Sequence, residues 1–309
     1  MPPDSLPDRV RAACAWVMAR ARWVRVDEEA LAPYAHRFQH SSPDRGPDAG
    51  NDPAGGEEAA AAFAICMNAI NFGSGWWPTI RKRPGHSGYA TMAAGVSERF
   101  AARGYWSAEE LAAMEAPAIA ATVGQDPEHP LIAQFAAALR DVGAHLLEEH
   151  GGRFRGPAEA AASTPALAAA FAGWEAFADV SRYEDREVPF FKRAQLAAAD
   201  LHRAGVAPLP GLERLTAFAD NLVPHVLRVD GVLILDPELE RAIEAEALLP
   251  HGSPQEVELR AGAVHAVELL AAATNGRLNP SEIDSALWNR GRNQRYKSLP
   301  RPRCRTTAY

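Results

Sequence analysis

Alanine-rich runs constrain this chain more than any other feature. EEAAAAFAICMNAI at 57–70 and PAEAAASTPALAAAFAGWEAF at 157–177 are dominated by the residue that loses no side-chain entropy in a helix. Only short stretches such as GVLIL at 231–235 have the character of a strand. The expected fold is therefore all-α. At 309 residues and 47% hydrophobic, the chain can bury a large core. No fixed repeat period is visible, so one irregular multi-helix domain spanning 1–309 is expected, its N-terminal half capping its C-terminal half.

Start and stop signals predict the elements. Residues 8–40 read as two helices, followed at about 41–57 by a flexible loop rich in Pro, Gly and Asp. A helix over about 57–70 runs into NFGSGWWPTIRKRPGHSGY, where glycines, a tryptophan pair and cationic groups crowd an irregular segment that is unusual for a mere connector. Ser107 and Glu110 form the S-x-x-E pattern of a capping box, and helices are expected near 130–150 and 158–178. VPFFKRAQLAAADLHRAG reads as one amphipathic helix from Val188 ended by Gly205, with a short helix up to about Ala219 after it. Pro254 and the Asn279-Pro280 pair mark two further helix starts.

Composition excludes several function classes. Cys14, Cys66 and Cys304 are far apart and in no C-x-x-C spacing, which predicts a reducing, cytoplasmic setting with neither a disulfide framework nor a zinc site. No segment offers some 18 uncharged apolar residues, and no signal peptide is apparent, so no membrane association is expected. The net charge is −7, yet SALWNRGRNQRYKSLPRPRCRTTAY after Asp284 carries seven Lys or Arg and no acid, leaving −14 on the remainder. That asymmetry suggests a local anion site rather than a nucleic-acid-binding surface. Ten histidines form no H-E-x-x-H, and there is no Walker loop, no G-x-G-x-x-G after a strand and no G-x-S-x-G. Neither a metal nor another cofactor is expected.

One acidic residue sits in an apolar run that draws attention. In LTAFADNLVPHVLRVDGVLIL, Asp220 can cap a helix that carries Pro224 in its first turn, where the missing N–H costs nothing. A carboxylate in that position is also favoured by the helix dipole and by backbone donors, and a fixed anion suits a cationic transition state.

Six blocks in order resemble the queuosine salvage protein family: NAINFGSGWWPTIRKRPGHSGY, VPFFKRAQLAAADL, LTAFADNLVPHVLRVDGVL, QEVELRAGAVHAVELL, IDSALWNRG and the terminal PRCRTTAY. They run from about residue 63 to the C-terminus, while the first 60 residues match nothing assignable. Cys304 departs from the pattern, which has a polar or aliphatic residue there. The resemblance implies hydrolysis of queuosine 5′-phosphate to queuine and ribose 5-phosphate, without a cofactor, on a helical fold related to the helix-hairpin-helix DNA glycosylases. DNLVPHVLRVDG is similar to the D-x-x-V-x-R-V-x-x-x-G text of that wider group, which implies that Asp220 is the catalytic carboxylate, with Asp200 in AAADLH as the competing or assisting acid.

The resemblance also bears on substrate binding. Asn71 and Phe72 match the family's NF, where an aromatic ring can stack on the deazaguanine and an amide can read its edge; the opposing reading is that Phe72, Trp76 and Trp77 anchor the loop to the core. Lys192 either contacts the nucleotide or snorkels to solvent. Arg260, between Glu256 and Glu258, reads as part of a structural ion pair. Cationic donors for a phosphate are sought in 81–83 and in the tail, with Lys192, Arg303 and Arg305 as choices. Two alternatives stay open: a glycosylase acting on a base within DNA or RNA, and a helical module that binds a nucleotide without cleaving it.

Overall fold

The computed structural model describes residues 5–38 and 56–309. α1 (Leu6–Met18) leads through β1 (Val24–Val26) to α2 (Glu28–Ala35), and α3 (Gly56–Ala69) runs into the segment that holds Asn71 and Phe72. There follow α4 (Gly88–Arg103), α5 (Ala108–Ala112), α6 (Ala116–Val123), α7 (Pro130–His150), α8 (Gly156–Ala160) and α9 (Thr164–Ala172). A hairpin of β2 (Val180–Tyr183) and β3 (Arg186–Pro189) precedes α10 (Lys192–Arg203). The remainder is α11 (Leu222–Val229), β4 (Leu233–Leu235), α12 (Pro237–Glu244), α13 (Pro254–Ala273), α14 (Pro280–Arg290) and α15 (Gln294–Lys297). The molecule is mostly helical, as the alanine runs imply. The loop expected at 41–57 lies outside the described residues except for Gly56 and Glu57, which already belong to α3.

Local signals set many of the boundaries. The expected capping box of Ser107 with Glu110 is present on α5, and at the expected Asn279-Pro280 start a second box, Asn279 with Glu282, opens α14, each satisfying two orphan backbone donors. Three expectations need correction. The helix expected over 158–178 is broken into α8, α9 and a 3-10 turn at Glu175–Phe177, because Ser163 caps a new helix whose second residue is Pro165. The helix expected from Val188 begins only at Lys192, since Val188 pairs with Ser181 in the hairpin. Residues 215–219 form no helix, after a 3-10 turn at Leu212–Arg214.

α13 runs through the centre, packed by α1, α2, α11 and α14. It is buried almost all round, with charged residues among its buried positions. Glu258 is matched by the N–H groups of Arg22, Trp23 and Val24 at 2.6–3.0 Å and by the Tyr183 hydroxyl at 2.7 Å. Those bonds fix the turn into β1, which pairs antiparallel with β4 through Val24–Leu235 and Val26–Leu233.

Candidate active site

Asp220 sits just before α11 and caps it. Its Oδ1 accepts from Leu222 N at 2.8 Å and Val223 N at 2.9 Å, while Pro224, the third helical residue, lacks a donor that the first turn would leave orphaned. Asp220 remains half-buried, and both of these bonds fall on Oδ1. Asn221 Nδ2 donates to Pro302 O at 2.9 Å and ties this corner to the C-terminal segment.

Lys192 begins α10 and is buried. Its Nζ donates to Asn71 O at 3.2 Å rather than snorkelling outward. Burial pushes its pKa down to about 8 against the opposing pull of Asp220. The residue before it, Phe191, adopts a left-handed conformation (φ 48°), which costs energy for any residue with a Cβ. Asp179 holds this strained entry: Oδ2 accepts Lys192 N at 3.0 Å and its carbonyl accepts Phe190 N at 3.0 Å. The same carboxylate takes a two-pronged bond from Arg260, at 2.9 and 2.7 Å, and Arg260 Nε donates to Ala219 O at 3.0 Å. One buried ion pair thus joins the start of α10 to the residue preceding Asp220. Arg260 is structural, as expected, but its partner is Asp179, with Glu256 only at 3.9 Å.

Two further carboxyls complete the cluster. Asp284 of α14 is buried, accepts Phe218 N at 3.0 Å, and is pushed well above the ordinary carboxylate range by burial and by Asp220's charge. Asp200, on α10, accepts from Asn68 Nδ2 at 2.9 Å and from Arg203 Nη1 at 3.2 Å; burial raises its pKa, while Arg203 and Lys192 oppose the rise. Arg301, partly buried, also feels Asp220's charge. Asp220, Asp284 and Asp200 around one buried lysine, with Asp179 engaged by Arg260, make a site that can steady developing positive charge and hold protons close to it.

Comparison with known proteins decides the family. The queuosine salvage protein family model matches residues 51–309. The chain is 32% identical to a queuosine 5′-phosphate N-glycosylase/hydrolase of Sphaerobacter thermophilus, with 95% of each chain covered. It belongs to the queuosine salvage protein family. Relatives bearing the same name from Dictyostelium discoideum and Bos taurus are 27% and 28% identical, covering 97% and 81% of this chain.

The blocks that carry this family's resemblance meet in space, but not every expected residue joins the acids. Asn71 does, through its carbonyl on Lys192. Phe72 is buried, edge to face with Phe135 at 5.1 Å and with the Arg193 guanidinium 4.9 Å from its ring centre, so it packs as core. Trp77 is partly buried against Gly88, whose missing Cβ makes room for the indole. Arg303 pairs with Glu246, and Arg305 is exposed. The residues that sequence reasoning did not single out are Asp284, Asp179, Arg193, Asn68 and Arg301. Asp284 stands inside the quoted IDSALWNRG and Arg193 beside Lys192, so the motif text contained them, whereas nothing local marks Asp179.

Proposed function

We propose that this chain hydrolyses the N-glycosidic bond of queuosine 5′-phosphate, releasing queuine and ribose 5-phosphate. The observation that carries the reading is Asp220: a half-buried carboxylate fixed by two backbone N–H groups beside a buried lysine, in a chain of this family. When the C1′–N bond breaks, its electron pair leaves with the base and positive charge spreads over the ribosyl C1′ and ring oxygen. Asp220's second oxygen opposes that charge or attacks C1′, and water finally supplies hydroxyl to C1′ and a proton to the departing base. Asp284, with its raised pKa, is suited to holding a proton next to Asp220, and Asp200 to binding ribose hydroxyls. Asn71, Phe72 and Trp77 would shape the base pocket, Phe72 from behind as packing. Lys192 and Arg301 are the cations best disposed toward the phosphate; Arg303 and Arg305 contribute longer-range charge.

In this reading the chain acts as a single cytoplasmic domain, related in fold to the helix-hairpin-helix DNA glycosylases, and needs no nucleic acid. Among the described residues no helix is long and apolar enough to cross a membrane.

The test is release of free queuine, followed by chromatography and mass, from wild type and Asp220→Asn with a chelator present. Release by wild type alone supports the proposal. Salt-sensitive cleavage of oligonucleotides instead would favour a base glycosylase, and tight binding without product in either protein would favour a non-catalytic binding module.

A further inference from the structure

Among the described residues, three potential metal ligands from distant parts of the sequence converge: His251, Glu256 and Cys304, their ligand atoms all within 4.8 Å of one another. Glu256 lies in the first turn of α13 and is almost wholly buried. Its Oε2 accepts Gly252 N at 3.1 Å and stands 3.9 Å from His251 Nδ1. Its Oε1 is buried without a hydrogen-bond partner. The nearest cation, Arg260 Nη1, is 3.9 Å away and already engaged by Asp179. The Tyr309 hydroxyl lies between Glu256 and Cys304 and shares weak hydrogen bonding with each. A buried carboxylate oxygen without a well-formed hydrogen bond is costly, and a cation held directly against the carboxylate would relieve that cost.

We propose that His251, Glu256 and Cys304 bind a zinc-class divalent cation, with a fourth position open. One imidazole nitrogen, one carboxylate oxygen and one sulfur form a borderline-soft donor set that suits zinc or cobalt and disfavours magnesium or calcium. Bond lengths of about 2.0–2.3 Å imply tetrahedral ligands roughly 3.3–3.6 Å apart. Glu256 and Cys304 are held by the core, while His251 lies in an exposed turn and can swing inward to close the remaining distance. The ion would tie the C-terminal segment to the start of α13. None of its three ligands belongs to the acid and lysine cluster around Asp220, so the proposal stands or falls separately from the reaction.

Tag-free full-length protein is titrated with Co2+ and watched for the near-ultraviolet thiolate-to-cobalt charge-transfer band. The expected result is one equivalent bound, displacement by Zn2+, loss of the band in Cys304→Ser, and at least tenfold weaker binding in His251→Ala. Zn2+ should also raise the melting temperature of wild type but not of Cys304→Ser. Cobalt binding without a thiolate band, no binding at all, or unchanged affinity in His251→Ala would overturn the proposal. Because His251 is exposed, its variant carries the test even if Cys304→Ser fails to fold.

Discussion

Asp220 caps α11, and under the proposed mechanism it would also stabilise the developing charge; substitution separates the two roles. Asn keeps an oxygen that can accept from Leu222 N and Val223 N, so Asp220→Asn should melt close to wild type while its kcat falls by a factor of roughly 10²–10³ or more, the scale of losing one charge-stabilising group. Asp220→Ala should lose the cap as well, at about 1 kcal/mol, seen as a lower denaturant midpoint. Lys192 gives a pH prediction with two opposite signs. Folded, its pKa is about 8 against the ordinary 10.5, so between those values the folded state binds fewer protons than the unfolded one. Stability from this group therefore rises with pH across about 8–10.5, and the buried charge weighs against the fold below it. Activity should move the other way, kcat/KM falling above about pH 8 as the ammonium is lost. Lys192→Arg should extend that alkaline limb upward; an unchanged limb would detach Lys192 from substrate binding. Sequence placed Asp220 and Lys192 among the candidates, yet the burial that makes Lys192 titratable comes from neighbours remote in sequence.

At the scale of elements, the start of α10 is the fragile point. Phe191 is strained, no cap residue of the usual kind precedes it, and Asp179 supplies both the backbone acceptors and the partner of Arg260. Asp179→Ala should leave a guanidinium buried and unpaired, costing about 3–5 kcal/mol and lowering the melting temperature by roughly 6–10 °C. Thermal unfolding by circular dichroism checks this, and a drop of only a degree or two would mean that Arg260 finds another acceptor. Elements were most legible where their signals are local: the capping box at Ser107 and the helix starts at Asn279-Pro280 and Pro254 fall where the sequence predicts. They were misread at 158–178 and 188–191, where alanine propensity and amphipathic spacing gave way to the cap at Ser163 and to strand pairing.

Across the whole molecule, the last residues close the structure. Gly73 N donates to Tyr309 O at 3.1 Å, Arg193 Nε to Ala308 O at 3.3 Å, and the Arg260 guanidinium stacks 4.5 Å from the Tyr309 ring centre. A Cβ on Gly75 would stand 2.3 Å from Cys304 O, so the loop and the tail touch backbone to backbone. Deleting residues 302–309 should therefore abolish turnover and open the 71–77 loop and α10 to proteolysis, whereas removal of a free tail would change neither. Sequence by itself indicated the helical class, several helix starts and the family, and it offered Asp220 as a candidate, because each depends on propensity or on short contiguous text. Only the tertiary structure decided that Phe72 is core, that Asp284 and Asp179 belong beside Lys192, and that His251, Glu256 and Cys304 converge where the cysteine spacing predicted no metal site. Those relations join residues tens to hundreds of positions apart, and burial, which sets their charges and their costs, does not exist until the chain has folded.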